Sequence, residues 1–193
     1  IGLVEWAKAR GIPLTAEATP HHLLLTEEAV GRCGPVAKVK PPLRSETDRA
    51  ASLAALKAGL VDAVATDHAP HSKEEKEAGF EKAPAGIVGL ETALPLIHTY
   101  CGLSMAEIVR LMSTMPAQIL GLDDRGHLAP GAAGDVLIFD VARKSKIDAA
   151  RFLSKAKFTP FEGWEVHGEV TMTIVGGEIA YQSIKLKPRT LSP

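Results

Sequence analysis

Seven histidines occur, at 21, 22, 68, 71, 98, 127 and 167, and four of them fall in two short runs, Thr19-Pro20-His21-His22 and Thr66-Asp67-His68-Ala69-Pro70-His71. Imidazole and carboxylate at the ends of strands are a donor set for a divalent metal, and such a metal lowers the pKa of water to ~7, which makes attack on an unreactive amide feasible. A carboxylate that touches both metal and water has a second use, taking the attacking proton as a base and returning it to the leaving nitrogen as an acid. Asp67 is the residue placed for that work. A plainer reading stands beside it, an Asx turn with incidental histidines at the end of a strand. His21 and His22 are open between ligand and structure, because adjacent side chains at a strand end point apart. His98, His127 and His167 are isolated and read as surface or satisfied-core histidines.

The elements that must position these groups follow from spacing. Leu3 to Arg10 is helical, with Gly11 as its stop, and Ile12 to Ala18 is a short strand that delivers Thr19-Pro20-His21-His22 to a loop. Thr26 is the expected N-cap of a helix ending near Gly31 to Gly34. Val36 to Lys40 is a brief extended run halted by Pro41-Pro42, and Ser45 with Asp48 opens a helix to Gly59. Leu60 to Thr66 is mostly apolar, as a strand buried on both faces should be, and its C-terminal end carries Asp67 to His71. Residues 72 to 86 are polar and read as a mobile loop, and residues 89 to 100 and 104 to 121 are helical, the latter opened by a Ser104/Glu107 capping box. From Gly126 the character changes to strands, Val136 to Asp140 and Val170 to Val175, closed by Gly176-Gly177.

Composition bounds the partners. With 193 residues, 46% of them hydrophobic, the chain reads as soluble and globular, of one or two domains. Lys plus Arg (22) nearly cancel Asp plus Glu (23), and no basic stripe is interleaved with aromatics, so neither nucleic acid nor an anionic membrane is an expected partner. A small polar substrate fits better. No apolar run approaches the ~20 residues of a membrane span and no secretory leader is visible, so a cytoplasmic location is the expectation. Cys33 and Cys101 belong to no Cys-x-x-Cys pair and read as reduced.

Four runs, in this order and spacing, resemble the second half of the dihydroorotases in the amidohydrolase superfamily: Ala16-Glu17-Ala18-Thr19-Pro20-His21-His22-Leu23, Lys38-Val39-Lys40-Pro41-Pro42-Leu43-Arg44, Ala65-Thr66-Asp67-His68-Ala69-Pro70-His71 and Gly86-Ile87-Val88-Gly89-Leu90-Glu91-Thr92. The likeness continues through Phe158 to Gly163 and Gly168-Glu169-Val170. It implies an α/β fold, the C-terminal part of a (β/α)8 TIM-type barrel over residues 1–125, followed by part of a small β-rich unit over 126–193. It implies zinc as cofactor, with Asp67 as zinc ligand and proton shuttle at the end of the last barrel strand. His71 is then expected on the dihydroorotate carboxylate, the backbone of Ala85 and Gly86 on the ring amide, and Glu17 as a support for the site. The histidines of Thr19-Pro20-His21-His22 are not expected on the metal.

Lys40 stands where bacterial relatives commonly carry Asn before Pro-Pro-Leu-Arg, and can meet a substrate carboxylate only as a point charge. The family's remaining zinc ligands belong to a region before the one covered here, and a complete eight-fold barrel takes ~250 residues. The 193 residues are therefore expected to be a fragment that needs the N-terminal half-barrel, binds no metal tightly alone and hydrolyses nothing alone. A homodimer or a partner enzyme of the pathway is a further expected contact. Two alternatives remain: a hydantoinase or allantoinase type of hydrolase, the allantoinases resembling Asp-His-Ser-Pro-Cys where this chain has Asp-His-Ala-Pro-His, and a non-catalytic scaffold chain, against which the intact Asp67 argues.

Overall fold

The computed structural model describes residues 1–183; the last ten residues of the expected C-terminal unit, 184–193, lie outside the described residues. The order is α1 (Gly2–Lys8), β1 (Glu17–Ala18), α2 (Pro20–Leu24), α3 (Glu28–Cys33), a 3₁₀ turn (Gly34–Ala37), α4 (Glu46–Lys57), β2 (Ala63–Val64), α5 (Lys73–Glu77), α6 (Ala93–Tyr100), α7 (Met105–Val109), a π-helical turn (Arg110–Thr114), α8 (Met115–Ile119), β3 (Val136–Lys146), a 3₁₀ turn (Ala149–Arg151), β4 (Glu165–Val175) and β5 (Glu178–Gln182). No helix among the described residues is long and apolar enough to cross a membrane.

β1 and β2 pair in parallel, Glu17 with Ala63 and Ala18 with Val64, as strands joined through a helix must. Both are shorter than their sequence runs. Pro13 has no amide hydrogen to give a ladder, and among the described residues each strand has one neighbour only. One carboxylate sets the alignment: Asp62 accepts Lys8 Nζ at 2.7 Å and the Ala16 amide at 2.8 Å, fixing the end of α1 and the approaches to both strands.

Two apolar clusters flank this frame. One gathers Leu23, Leu56, Val61, Val64, Ile97, Cys101, Ile108 and Leu111 from α2, α4, β2, α6 and the helices after it. The other joins Leu25, Val39, Leu43, Ile87, Val88 and Leu96 to Ile147, Phe152, Phe161 and Val166. α6 therefore serves both, through Ile97 and Leu96 on different faces. It also anchors the antiparallel sheet β3-β4-β5, since Thr99 Oγ1 accepts the His167 amide at 2.9 Å and Tyr100 Oη donates to the Glu165 carbonyl at 2.6 Å.

Several local expectations change. Thr19-Pro20-His21-His22 is the start of a helix, capped by Thr19 with Pro20 in its first turn, where a missing amide hydrogen costs nothing. The N-cap of α3 is Glu27 and not Thr26, without a side-chain bond. The 3₁₀ turn Gly34–Ala37, with Pro35 near its start, takes up the first residues of the expected extended run. Residues 72–86 are not one polar loop: Ser72 and Glu75 form a capping box that opens α5. The Ser45 cap and the Ser104/Glu107 box stand as read.

A close backbone contact lies beyond β2. His68 and Ile87 form a parallel bridge, and Ala69 N donates to Ile87 O at 2.8 Å. A Cβ on Gly89 would stand 2.6 Å from the Thr66 carbonyl oxygen, and one on Gly86 the same 2.6 Å from that of Ala69. Glycine at both ends is what lets the two segments run this close. Gly89→Ala should lower stability by about 1–3 kcal/mol through overpacking. Gly31→Ala in α3, where a Cβ meets nothing within 4 Å, should be neutral or stabilising by up to ~1 kcal/mol. Thermal unfolding of the two variants checks this; equal melting temperatures would show the close approach to be unimportant.

Candidate functional site

β2 leads through Ala65 and Thr66 to Asp67, whose backbone sits at φ +48. Asp is one of the few side chains that accept this left-handed region. The turn takes residue 67 out of the alternation of the strand and leaves its side chain 46% exposed. Behind the carboxylate is His21, on the first turn of α2, with Nε2 3.8 Å from Asp67 Oδ2. His21 is 1% exposed and its Nε2 has no hydrogen-bond partner. Burial, and then the neighbouring His22, push its pKa down from 6.5 to about 3. The ring is therefore neutral near pH 7, and its approach to Asp67 is not an ion pair.

Adjacent positions on a helix diverge by about 100°, so His22 leaves the core that His21 enters. Its Nδ1 meets Thr19 Oγ1 at 2.7 Å and its Nε2 meets the Pro41 carbonyl at 2.9 Å. A carbonyl only accepts, so Nε2 carries the hydrogen and Nδ1 takes that of the Thr19 hydroxyl. α2 is thereby tied to the loop that bears Lys40, whose own side chain is exposed.

The Ala85-Gly86 segment is held from three sides. His71 Nε2 donates to the Ala85 carbonyl at 3.1 Å, while His71 Nδ1 lies 3.5 Å from the Glu75 carboxylate. Gly86 N donates to the Lys38 carbonyl at 2.9 Å. Lys38 Nζ in turn donates to the carbonyls of Phe80, Glu81 and Ala83. Lys76, only 4% exposed, donates to the carbonyls of Pro35 and Pro84 at 3.0 and 2.9 Å. Burial, then the charge of Lys38, lower the Lys76 pKa. These two ammonium groups satisfy carbonyls of the irregular stretch 80–84, and the Pro35 carbonyl takes Lys76 alongside the Lys38 amide. On the other side of the bridge, His68 Nδ1 accepts the amides of Gly89 and Leu90 at 3.1 and 3.3 Å, which puts its hydrogen on Nε2.

Of the residues singled out from the sequence, Asp67, His71, Ala85 and Gly86 come together around the His68–Ile87 bridge. Lys40 joins them only through the backbone on either side of it. Glu17 is exposed on β1. His98 and His127 spend Nε2 on the carbonyls of Val141 and Asp123. Sequence reasoning missed His21 as the contact of Asp67, and Lys38, Glu75 and Lys76 as braces. The Ser72-x-x-Glu75 spacing was the legible sign of α5. Among the described residues, no three or more His, Cys, Asp or Glu converge as a metal site. What these residues offer a metal is one corner of a site, a half-exposed carboxylate backed by a buried, unpartnered imidazole nitrogen.

Comparison with known proteins gives the chain's family. A model of the amidohydrolase family matches residues 2–180. The chain is 44% identical to a dihydroorotase of Lactobacillus gasseri over 187 residues, 94% of this chain and 44% of that one. It is likewise 44% identical to a dihydroorotase of Bacillus cereus, over 94% of this chain and 43% of that one. Among solved structures, an L-hydantoinase (dihydropyrimidinase) from Arthrobacter aurescens aligns with a TM-score of 0.87 at 35% identity, covering 94% of this chain and 42% of that one. A D-hydantoinase (dihydropyrimidinase) from Thermus sp. aligns with the same TM-score, 0.87, at 29% identity. The chain thus spans less than half the length of the relatives it matches. These likenesses imply a TIM-barrel-type fold, and the parallel pairing of β1 with β2 is in keeping with it.

The neutral His21 has a consequence for stability. Its pKa is lower in the folded chain, about 3, than the 6.5 of an exposed histidine, so between those values the unfolded chain binds the extra proton. The contribution is intact above pH 6.5 and is lost as pH falls toward 3. Denaturant midpoints measured from pH 7 to pH 4 should therefore fall for the wild type and less steeply for His21→Gln; identical slopes would contradict the assignment.

Proposed function

The chain belongs to the amidohydrolase family, and from that membership we propose that it is part of a zinc-dependent dihydroorotase, which interconverts dihydroorotate and N-carbamoyl-L-aspartate in pyrimidine biosynthesis. In this reading residues 1–125 are the C-terminal portion of a (β/α)8 barrel, and residues 126–193 are part of a small β-rich unit. The observation that carries the reading is Asp67: a carboxylate turned out of a strand end by its own backbone, backed by His21 and beside the Ala85-Gly86 segment. The 44% identity to dihydroorotases over 94% of the chain supports the choice of substrate.

Asp67 is the residue of this chain that would hold the zinc, together with ligands from outside these 193 residues. Bound zinc supplies a Lewis acid that lowers the pKa of water to about 7. Asp67 accepts the proton of the attacking water and returns it to the ring nitrogen as the amide C–N bond breaks. His71 and Ala85 are hydrogen-bonded to each other. Dihydroorotate replaces that bond on both sides, its carboxylate taking the His71 donor and its ring N–H taking the Ala85 carbonyl. The Gly86 amide is spent on Lys38, so Gly86 contributes room: a Cβ there would lie 2.9 Å from His71 Nε2. Lys40 adds positive charge at the edge of the site for the same carboxylate.

The fold likeness to the hydantoinases supports a second reading, hydrolysis of a five-membered cyclic amide. His71, at the end of Asp-His-Ala-Pro-His, favours the dihydroorotate reading. A scaffold chain without activity is the third, and the intact Asp67 weighs against it. In the full-length protein, turnover of dihydroorotate should fall by about 10²–10⁴-fold in Asp67→Asn. Unchanged turnover would overturn the assignment, and preferential hydrolysis of hydantoin would select the second reading.

A further inference from the structure

Asp67 is the exposed partner of a pair whose other member is sealed in the protein. His21 carries one of two buried side-chain nitrogens that find no hydrogen-bond partner among the described residues, the other being His98 Nδ1. Native structures rarely leave such an atom unpaired without a use for it. The ring is held by its surroundings. It sits in the first turn of α2, which Thr19 caps. It lies against the His22 ring, centroids 4.5 Å apart, and that ring is itself tied at both nitrogens. Of the pair, His21 is the fixed member and Asp67 the adjustable one, since the Asp67 side chain is half-exposed at the end of a turn.

We propose that His21 is a positioning residue for Asp67: its Nε2–H closes from 3.8 Å to a hydrogen bond on Oδ2, committing that oxygen and leaving Oδ1 for the metal and the travelling proton. This deepens the dihydroorotase reading and rests on it. The tautomer follows from chemistry, because an ionised carboxylate only accepts, so an Nε2 lone pair facing it would repel. A movement of about 1 Å suffices to reach ordinary hydrogen-bond length. Carboxylates that ligate metals are commonly held in this way by a neighbouring donor, and removal of such partners weakens metal affinity or activity by about 10–100-fold.

The test compares His21→Leu, which keeps the bulk and removes the donor, with His21→Gln, whose side-chain amide restores a donor at similar depth, and with Asp67→Asn. All are made in the full-length, zinc-loaded protein. Zinc affinity is read by chelator competition, kcat and KM for dihydroorotate by steady-state kinetics, and folding by melting temperature. His21→Leu should weaken zinc affinity and lower kcat, each by about 10–100-fold, with KM within about twofold, and His21→Gln should recover most of both. Equal losses in His21→Leu and His21→Gln would show that the imidazole only fills space, and would overturn the proposal. So would wild-type zinc affinity and kcat in His21→Leu while Asp67→Asn is inactive, an outcome that leaves the dihydroorotase reading standing. Full activity in Asp67→Asn would remove that reading, and this proposal with it.

Discussion

Backbone passing against backbone with no room for a Cβ is the constraint on which the site depends. Thr66 to Ala69 and Gly86 to Gly89 run side by side, joined by the His68–Ile87 bridge and the Ala69 amide. Gly86 and Gly89 close the two ends, where a methyl group would strike the carbonyls of Ala69 and Thr66. Everything chemical hangs from that contact. Asp67 leaves the first segment, and Ala85 precedes the second. His68 and His71 cross between them, their ring nitrogens holding Gly89, Leu90 and Ala85. The buried valine and isoleucine of the Gly-Ile-Val-Gly run turn inward to the apolar cluster shared with Phe152, Phe161 and Val166. The candidate site and the core packing thus draw on the same four residues, Gly86 to Gly89.

Around this contact the chain braces irregular backbone with charge. Lys38 and Lys76 donate to five carbonyls of residues 35 and 80–84, a stretch with little regular structure to satisfy them. An ammonium group is suited to the task because it points three donors in different directions on a long stem. Burying Lys76 is costly, as its lowered pKa shows, but the carbonyls it reaches offset the loss of water. The result is a braced segment that carries Ala85 and Gly86 on the same frame as His71.

Much of this was legible in the sequence, for reasons that differ between elements. Capping signals are local, so Ser45 and the Ser104/Glu107 box could be read directly. The Ser72-x-x-Glu75 box was equally local, and it was hidden only by the polar composition around it. The placing of Asp67 at a strand end followed from an apolar run that stops at Thr66. The contact of Asp67 with His21 did not follow, because it joins residues 46 positions apart and depends on Thr19-Pro20-His21-His22 being a helix start and not a loop. On a strand, alternation parts the two histidines; on a helix, one enters the core while the other ties down the Lys40 loop. The braces at Lys38 and Lys76 were illegible for a related reason: a lysine that serves backbone carbonyls has the same sequence signature as one on the surface.

The proposed chemistry requires Asp67 to meet a metal. Crystals of the full-length protein grown with zinc, measured on both sides of the zinc absorption edge, test this without recourse to activity. An anomalous peak is expected about 2.0–2.2 Å from an Asp67 carboxylate oxygen. Zinc bound at a site remote from residue 67, with the Asp67 carboxylate turned to solvent, would contradict it.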